Sequence, residues 1–498
     1  MCDEKLTLDI AKAIKEKGGR AFYVGGRNRN FFMKANGHSY AEKEDKDIDM
    51  EIYFLSKEEL IKILSSFGEI DFVGKSFGVF KLKHSDIDIA LPRKEKQAKV
   101  LHNEKTIILP YPCNNVDQIE IKEIYPDYKI IIRPNEIFSH KDFIVISDPF
   151  LPYSEACKRR DFTINSILID ILSEAVIDPF NGVDDIKRGI IRATNEKAFI
   201  EDSLRVYRAV QFAARFMFTI DEKTKNLCKR IDLSSLPKER VYTELLKLLM
   251  KAPKPSIGLE YMRELGILKY HPLLQELVNC PQEASNHPEG SVWNHTLMVI
   301  DEAARKKEQS NNPIVFMFSA LLHDIGKPAT TKVNEFGKIV SYDHDKKGKE
   351  LAIAYLETIT DDKKLISEIA TLVEHHMKPI FYYNSKDNIS DGAFRKLSTK
   401  VDLKELILLS TCDRLGRTEI DIKKEESELL WFKDRCKYLN ILEEKPKPII
   451  TGKLLLQMGY LPGLKIGEII KMAYQIQLEK NWNQKQLTEF ISHKYPIP

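Results

Sequence analysis

The sequence predicts an α+β protein, a mixed strand-and-helix head followed by all-helical parts. Three observations predict it. Residues 1–195 alternate strand and helix patterns. From about Asn195 onward strand patterns fade and amphipathic helical ones take over. Proline-containing joints, "KAPKPS" and "NCPQEASNHPEG", then divide the helical part. The expected domains are 1–195, with an inserted β-rich segment at about 97–137, then 196–275, 285–420 and 421–498.

Each element has its own signal. "FYVGG" is a short apolar strand ending in a turn, and "IDMEIYF" alternates as a strand does. "SKEELIKILSSF" opens with a capping box, Ser56 and Glu59, before a helical period. "DFVG" and "GVFKLKHSDIDIAL" return to strand character. In the insertion, "IEIKEIYPDYKIII" alternates on both sides of a Pro-Asp turn and predicts a hairpin. "EDSLRVYRAVQFAARFMF" and "KERVYTELLKLLM" are amphipathic helices, and "EEKPKPIIT" opens a last helical segment.

Composition narrows the class. With 43% hydrophobic and 30% charged residues the chain reads as soluble and globular. Lys+Arg exceeds Asp+Glu by 77 − 74 = 3, so a nucleic-acid surface would have to be a local patch. Seven scattered cysteines without CxxC spacing argue for a reducing compartment, against a disulfide framework or zinc ribbon. "MCDEKLTLDI" lacks signal-peptide features, and no run approaches the ~18 apolar residues of a membrane helix. The expectation is a cytoplasmic protein with no membrane partner.

The chemistry starts at Asp47 and Asp49. On a strand, residues i and i+2 share a face, so both carboxylates point together and need a cation, usually a divalent metal, between them. "SDIDIAL" repeats the device with Asp86 and Asp88. If the strands are neighbours, Asp47, Asp49 and Asp88 could hold two Mg²⁺ about 3.5–4 Å apart, the spacing for in-line phosphoryl or nucleotidyl transfer. Upstream, Gly25-Gly26 lets backbone approach a phosphate, the following helix start adds N–H groups, and Arg29 adds charge for a triphosphate.

"YVGGRNRNFF…DKDIDMEI" resembles the GGxVRD…DxD signature of the class II CCA-adding tRNA nucleotidyltransferases and bacterial poly(A) polymerases, within the polymerase-β-like superfamily. "VGKSFGVFKL…DIDIALPR", "KRRDFTINSI", "DPFNGVDDIKRGIIRAT" and "EDSLRVYRAVQFAARF" resemble that family's later blocks in order. The resemblance covers residues 20–95 and 140–275 and implies a polymerase-β-like head with a mixed sheet. In "RRDFTIN", read as helical, Asp161 and Asn165 at i and i+4 would bracket a ribose diol, with Arg160 suited to the triphosphate. Asp202 and Arg205, at i and i+3, offer an acceptor and a donor fork that can mimic a base-pairing edge. In the resembled family this pair selects CTP and then ATP without a template, and Arg208 contacts the nucleotide. The chain departs from the family at "GGRNRN", with Asn28 for an apolar residue and Asn30 for the acid. Gln211 replaces a frequent arginine, and the 97–137 insertion falls where the family has a flexible loop.

Half of the twelve histidines fall between His287 and His376. "HPEGSVWNHTLMVID", "FSALLHDIGKPATT", "SYDHDKKGKELA", "LVEHHMKP" and "STCDRLGRT" form an ordered set that resembles the HD phosphohydrolase domain. The resemblance implies His295, His323, Asp324 and Asp413 as ligands of a divalent transition metal (Mn, Fe, Ni, Co or Zn). His344 with His375, or its neighbour His376, would complete a second position. Lys327 would stabilise developing charge, and His287 reads as an ordinary core or surface residue. Residues 452–482 resemble the family's C-terminal helical unit, where a tRNA would rest.

The leading expectation is a template-independent RNA 3′-end nucleotidyltransferase, CCA-adding on the tRNA 3′ end and acceptor arm with CTP and ATP, fused to a phosphohydrolase. Two alternatives stay open. One is a poly(A) polymerase; the other is a non-catalytic RNA-binding head on a hydrolase of 2′,3′-cyclic or 2′-phosphates.

Overall fold

A computed structural model of the chain describes residues 3–40, 48–73, 79–111, 113, 118–119, 121–122, 125–134, 143–418 and 422–496. It divides into two compact units, Met1–Pro253 with Ile257–Tyr270, and Lys254–Ser256 with His271–Pro498. Asp47 lies outside the described residues.

The first unit opens with helix α1 (Asp3–Glu16), which buries Ile10, Ala11 and Ile14. Strand β1 (Arg20–Tyr23) leads through the glycine corner into α2 (Gly26–Ala35), followed by β2 (Ile48–Tyr53) and α3 (Lys57–Ser65). The expected capping box starts α3: Glu59 N–H donates to Ser56 Oγ, and Ser56 N–H donates to the Glu59 carboxylate. Then come β3 (Ile70–Val73), β4 (Val79–Leu82) and β5 (Ile87–Ala90). β6 (Arg93–Gln97) and β10 (Phe143–Ser147) flank the insertion, which contributes β7 (Lys99–Leu101), β8 (Thr106–Pro110) and β9 (Lys129–Arg133); β11 (Leu168–Asp170) and β12 (Val176–Ile177) follow. The main sheet is mixed, in the order β12-β11-β1-β2-β5-β4-β3. Its β2–β5 pair is parallel and its other pairs are antiparallel. Ile48, Met50, Ile52, Ile87 and Ile89 join α1 and α3 in one core, which anchors β2 and β5 side by side.

The insertion corrects one expectation. Residues 118–119 and 121–122 are helical, and β9 pairs in parallel with β8 instead of forming a hairpin. Tyr125 N–H donates to Ile121 O (2.9 Å), and both side chains enter the insertion's own core. Apolar residues in so short a run fit an i, i+4 face as well as a strand.

Beyond residue 195 helices dominate, among them Leu204–Phe216 and Lys238–Lys251 in the first unit. The second unit holds helices Val292–Lys306, Pro313–Leu322, His344–Glu357, Lys363–His375 and Leu403–Leu415. It is not all-helical as expected: Thr331–Val333 and Ile339–Ser341 pair as a small antiparallel hairpin, turned at Gly337 with φ 75°. At its C-terminal end Leu455, Ile469, Ala473, Leu487 and Ile491 make a separate core. No described helix is long and apolar enough to cross a membrane.

Candidate functional site

In the first unit, Asp49 on β2 stands directly opposite Asp88 on the parallel strand β5. Lys81, opposite Asp88 on β4, brings Nζ to 3.4 Å from its carboxylate. The corner residue Gly25 has φ 73°, and a Cβ there would lie 3.2 Å from Asp49 Oδ2. Glycine is therefore required both for backbone conformation and for close approach to the acid. Two in-register carboxylates beside a backbone turn that begins a helix form a donor set suited to Mg²⁺ and phosphate.

A cavity of about 370 Å³ opens at this point. Gly25, Gly26, Arg29, Asp49, Arg160, Asp161, Asn165, Asp202, Arg205 and Arg208 line it, so all these sequence candidates meet at one place. Their contacts differ from the expectation in three ways. Asp161 and Asn165 do bond, Asn165 Nδ2 donating to Asp161 Oδ1 (2.9 Å), but on a bend and a 3₁₀ turn (Thr163–Asn165) instead of an α-helix. The helix Tyr153–Lys158 stops first, and the extended, fully buried Phe162 bridges Ala193. Arg160 does not project as a lone cation: it ion-pairs with buried Glu51 and donates to Asn165 O (3.2 Å). Arg205 N–H donates to the Asp202 carbonyl (3.0 Å), while the two side chains turn to other partners. Asp202 takes Arg240 Nη2 (3.0 Å), while Arg205 donates to the carbonyls of Ala198 and Arg159 (2.5 and 2.6 Å).

Asp161 is the hub of the cavity. Arg208 donates to it from Nε and Nη2 (2.8 and 2.5 Å). Burial opposes its charge, but Arg208 and Asn165 outweigh this and hold the carboxyl below its ordinary range. Arg29 donates to Asn165 Oδ1 (2.8 Å), and its other edge is held by Asn30 Oδ1 (3.2 and 3.1 Å). Asn30 thus accepts the guanidinium as a carboxylate would. Asn28 Nδ2 donates to Tyr23 O and Ile167 O (2.6 and 2.9 Å), which pins α2 to β1 and to the chain entering β11. Gln211 is buried and does not line the cavity. Two participants went unread in the sequence. Phe212 lies one helical turn after Arg208, beneath the guanidinium groups of Arg29 and Arg208 (5.3 and 5.1 Å). Glu51 continues the alternation of Asp47 and Asp49.

In the second unit the histidines converge. The donor atoms of His295, His323 and Asp413 lie within 4.8 Å of one another, as do those of Asp324, His344 and His376. Asp324 stands between the two groups, Oδ2 lying 3.3 Å from His323 Nε2 and Oδ1 3.5 Å from His344 Nε2. The rings are oriented by the backbone. Nδ1 of His323, His344 and His376 meets the carbonyls of Ala320, Ser341 and Val373 (2.9, 2.7 and 2.7 Å), which leaves Nε2 toward the cluster. His323 Nε2 is fully buried and, among the described residues, has no well-aligned hydrogen-bond partner. A buried lone-pair donor beside carboxylates fits a transition metal. Burial alone would push Asp324 and Asp413 up. Lys327 (2.7 Å) and His323 beside Asp324, and Arg417 and His295 beside Asp413, hold both well below the ordinary carboxylate range.

Two histidine assignments change. His376, not His375, faces Asp324 and His344; His375, at a helix end, turns to Glu374 (3.9 Å). Successive helical residues point about 100° apart, so only one of an adjacent pair can face inward. His287 is not an ordinary surface residue. Its Nδ1 meets Glu289 Oε1 (2.8 Å), and the same oxygen lies 3.0 Å from Nδ1 of His295. Burial lowers the His287 imidazole; at His295 burial also opposes the charged form, but Asp413 and Glu289 outweigh it and leave the imidazole raised.

Known proteins carry the same sequence blocks. Residues 21–192 match the poly A polymerase head domain, 217–277 the probable RNA and SrmB-binding site of polymerase A, and 292–418 the HD domain. The multifunctional CCA protein of Nitrosomonas europaea is 36% identical over 225 residues, 44% of this chain and 52% of that protein. That of Xanthomonas campestris pv. campestris is 31% identical over 293 residues, 56% of this chain and 68% of its own length. The alignments thus span about half to two thirds of these relatives. A Bacillus stearothermophilus CCA-adding enzyme in complex with CTP shares the fold at 18% identity, with TM-score 0.58 over 98% of this chain and 97% of that one. So does a Thermotoga maritima CCA-adding enzyme complexed with tRNA, at 18% identity and TM-score 0.55, over 98% and 95%.

Proposed function

The chain belongs to the CCA-adding tRNA nucleotidyltransferase and bacterial poly(A) polymerase family, in a branch that carries an HD domain, and on that premise we propose that it extends RNA 3′ ends without a template. The substrate is a tRNA, engaged through its 3′ end and acceptor arm, and the added residues come from CTP and ATP. One observation carries this reading: Asp49, in register with Asp88 on the neighbouring strand, lines a cavity together with the glycine corner and four arginines.

Asp49 and Asp88, with Asp47, are the residues to hold Mg²⁺, which would supply charge stabilisation for phosphoryl transfer. Gly25 and Gly26 give the triphosphate access to backbone. Arg29 and Arg208 orient it, Asp161 and Asn165 address the ribose, and Asp202 and Arg205 address the base. Their present partners, such as Arg240 for Asp202, are exchanged for nucleotide on binding. In the second unit His295, His323, Asp324, Asp413, His344 and His376 are suited to divalent transition metal, which would lower the pKa of a bound water for phosphoester hydrolysis. Lys327 offers its ammonium to the phosphoryl oxygens. The C-terminal helical segment is the proposed resting place for the tRNA.

Incubating the protein with tRNA lacking its 3′ end and each NTP in turn tests the reading. Sequential incorporation from CTP and then ATP is expected. ATP use alone would indicate a poly(A) polymerase. Absence of any transfer alongside metal-dependent hydrolysis of 2′,3′-cyclic or 2′-phosphates would indicate a non-catalytic head.

A further inference from the structure

We propose that Glu51 is a positioning residue for the nucleotide, acting through Arg160. The inference rests on the transferase reading and adds a side chain to which that reading gave no role. Glu51 follows Asp49 by two residues on β2, so both carboxylates leave the same face of the strand. Asp49 is exposed, whereas Glu51 is only 1% exposed. A carboxylate buried so completely costs several kcal/mol unless it is paired. Its partner is Arg160, and Arg159 Nη2 lies 3.9 Å from its second oxygen.

The pair leads into the cavity. Arg160 lines it and also donates from Nη1 to the carbonyl of Asn165, whose side chain bonds both Asp161 and Arg29. A continuous line therefore runs from the strand bearing Asp49, through Glu51 and Arg160, to the turn bearing the ribose-facing pair. Fixing Arg160 before nucleotide arrives removes its rotamer entropy from the cost of binding. It also holds the ribose-facing turn at a set distance from the acids. Charge is not the contribution, because Glu51 already neutralises Arg160.

A purely structural ion pair would give different behaviour, since replacing both members of a buried pair by neutral groups often leaves a fold intact. The test measures CTP and ATP affinity of the full chain in Mg²⁺ without RNA, together with the melting temperature. It compares wild type with Glu51→Gln, Arg160→Met and the double variant. Glu51→Gln is expected to weaken nucleotide binding on the order of 10-fold, the scale of one lost charge-assisted contact. The double variant should melt near wild type yet bind as weakly as Arg160→Met alone, because Glu51 works only through Arg160. Glu51→Gln binding within about twofold of wild type overturns the proposal, as does wild-type affinity in the double variant. Should Glu51→Gln not fold, the double variant decides. A wild-type chain that binds neither nucleotide overturns the transferase reading together with this one.

Discussion

The arginine-lined cavity and the histidine cluster hold charged groups in place by opposite means. In the cavity, side chains from distant segments hold one another: Arg29 with Asn165, Arg160 with Glu51, Arg208 with Asp161. In the cluster, His323, His344 and His376 are each oriented by a carbonyl only three residues back. The first arrangement is a network, in which one substitution propagates. The second is modular at these three rings, each set by its own helix end or turn, while His295 is held by Glu289 and the Gly416 carbonyl. The difference suits the ligands: a nucleotide must be gripped at three chemically distinct ends, whereas a metal needs only donors that converge.

The largest test of this contrast is Asp49→Ala. It should lower nucleotide incorporation by roughly 10³-fold or more, the loss of several kcal/mol of charge stabilisation, while metal-dependent hydrolysis stays unchanged. Both activities are assayed on one preparation, and a parallel loss in a folded variant would break the division. Next in size, His376→Ala should lose bound transition metal and hydrolysis, whereas His375→Ala keeps both. Metal content by elemental analysis checks this, and equal loss from the two would reinstate His375 as a ligand. Glu289→Gln is a milder change. Weakening the carboxylate behind His295 should cost about 10- to 100-fold in metal affinity, read by chelator competition, with nucleotide binding untouched.

The smallest expected effect concerns pH. His271 is buried beside the Tyr355 hydroxyl (3.3 Å), and burial lowers its pKa to about 4. Its folded value lies below the unfolded one, so acid protonates the unfolded chain first. The stability it contributes is complete above about pH 6.5 and is lost as pH falls toward 4, a few kcal/mol at most. Thermal melts of metal-free protein across this range should show the decline, and His271→Phe should flatten it. A slope unchanged by that substitution would assign the proton uptake elsewhere.

Much of the head was readable because local spacing is backbone geometry. The alternation in "IDMEIY" places Asp49 on one face with Ile48, Met50 and Ile52 on the other, and the capping box at Ser56 needs only a four-residue stretch. Readings that needed more than local spacing were less secure. Asp161 and Asn165 meet, yet not on the expected helix, because Phe162 is drawn to Ala193 in a bridge that no local pattern announces. The insertion's "IEIKEI" fits two periods equally well, and only its packing against Ile107 and Ile144 chose the helix. His287 looked ordinary because its partner, Glu289, signals nothing without His295 behind it.

The amino-acid sequence by itself determined which side chains share a face, where helices start, and which acids, arginines and histidines recur in ordered blocks. These depend on bonds and dihedral angles within a few residues. Tertiary structure decided that β2 and β5 are parallel neighbours, that His376 faces the cluster, and that Glu51 is sealed against Arg160. Glu51 and Arg160 are 109 residues apart, and His344 and His376 are 32 apart. Pairings at such separations are set by how elements pack and which charges burial forces together, information that no window of sequence contains.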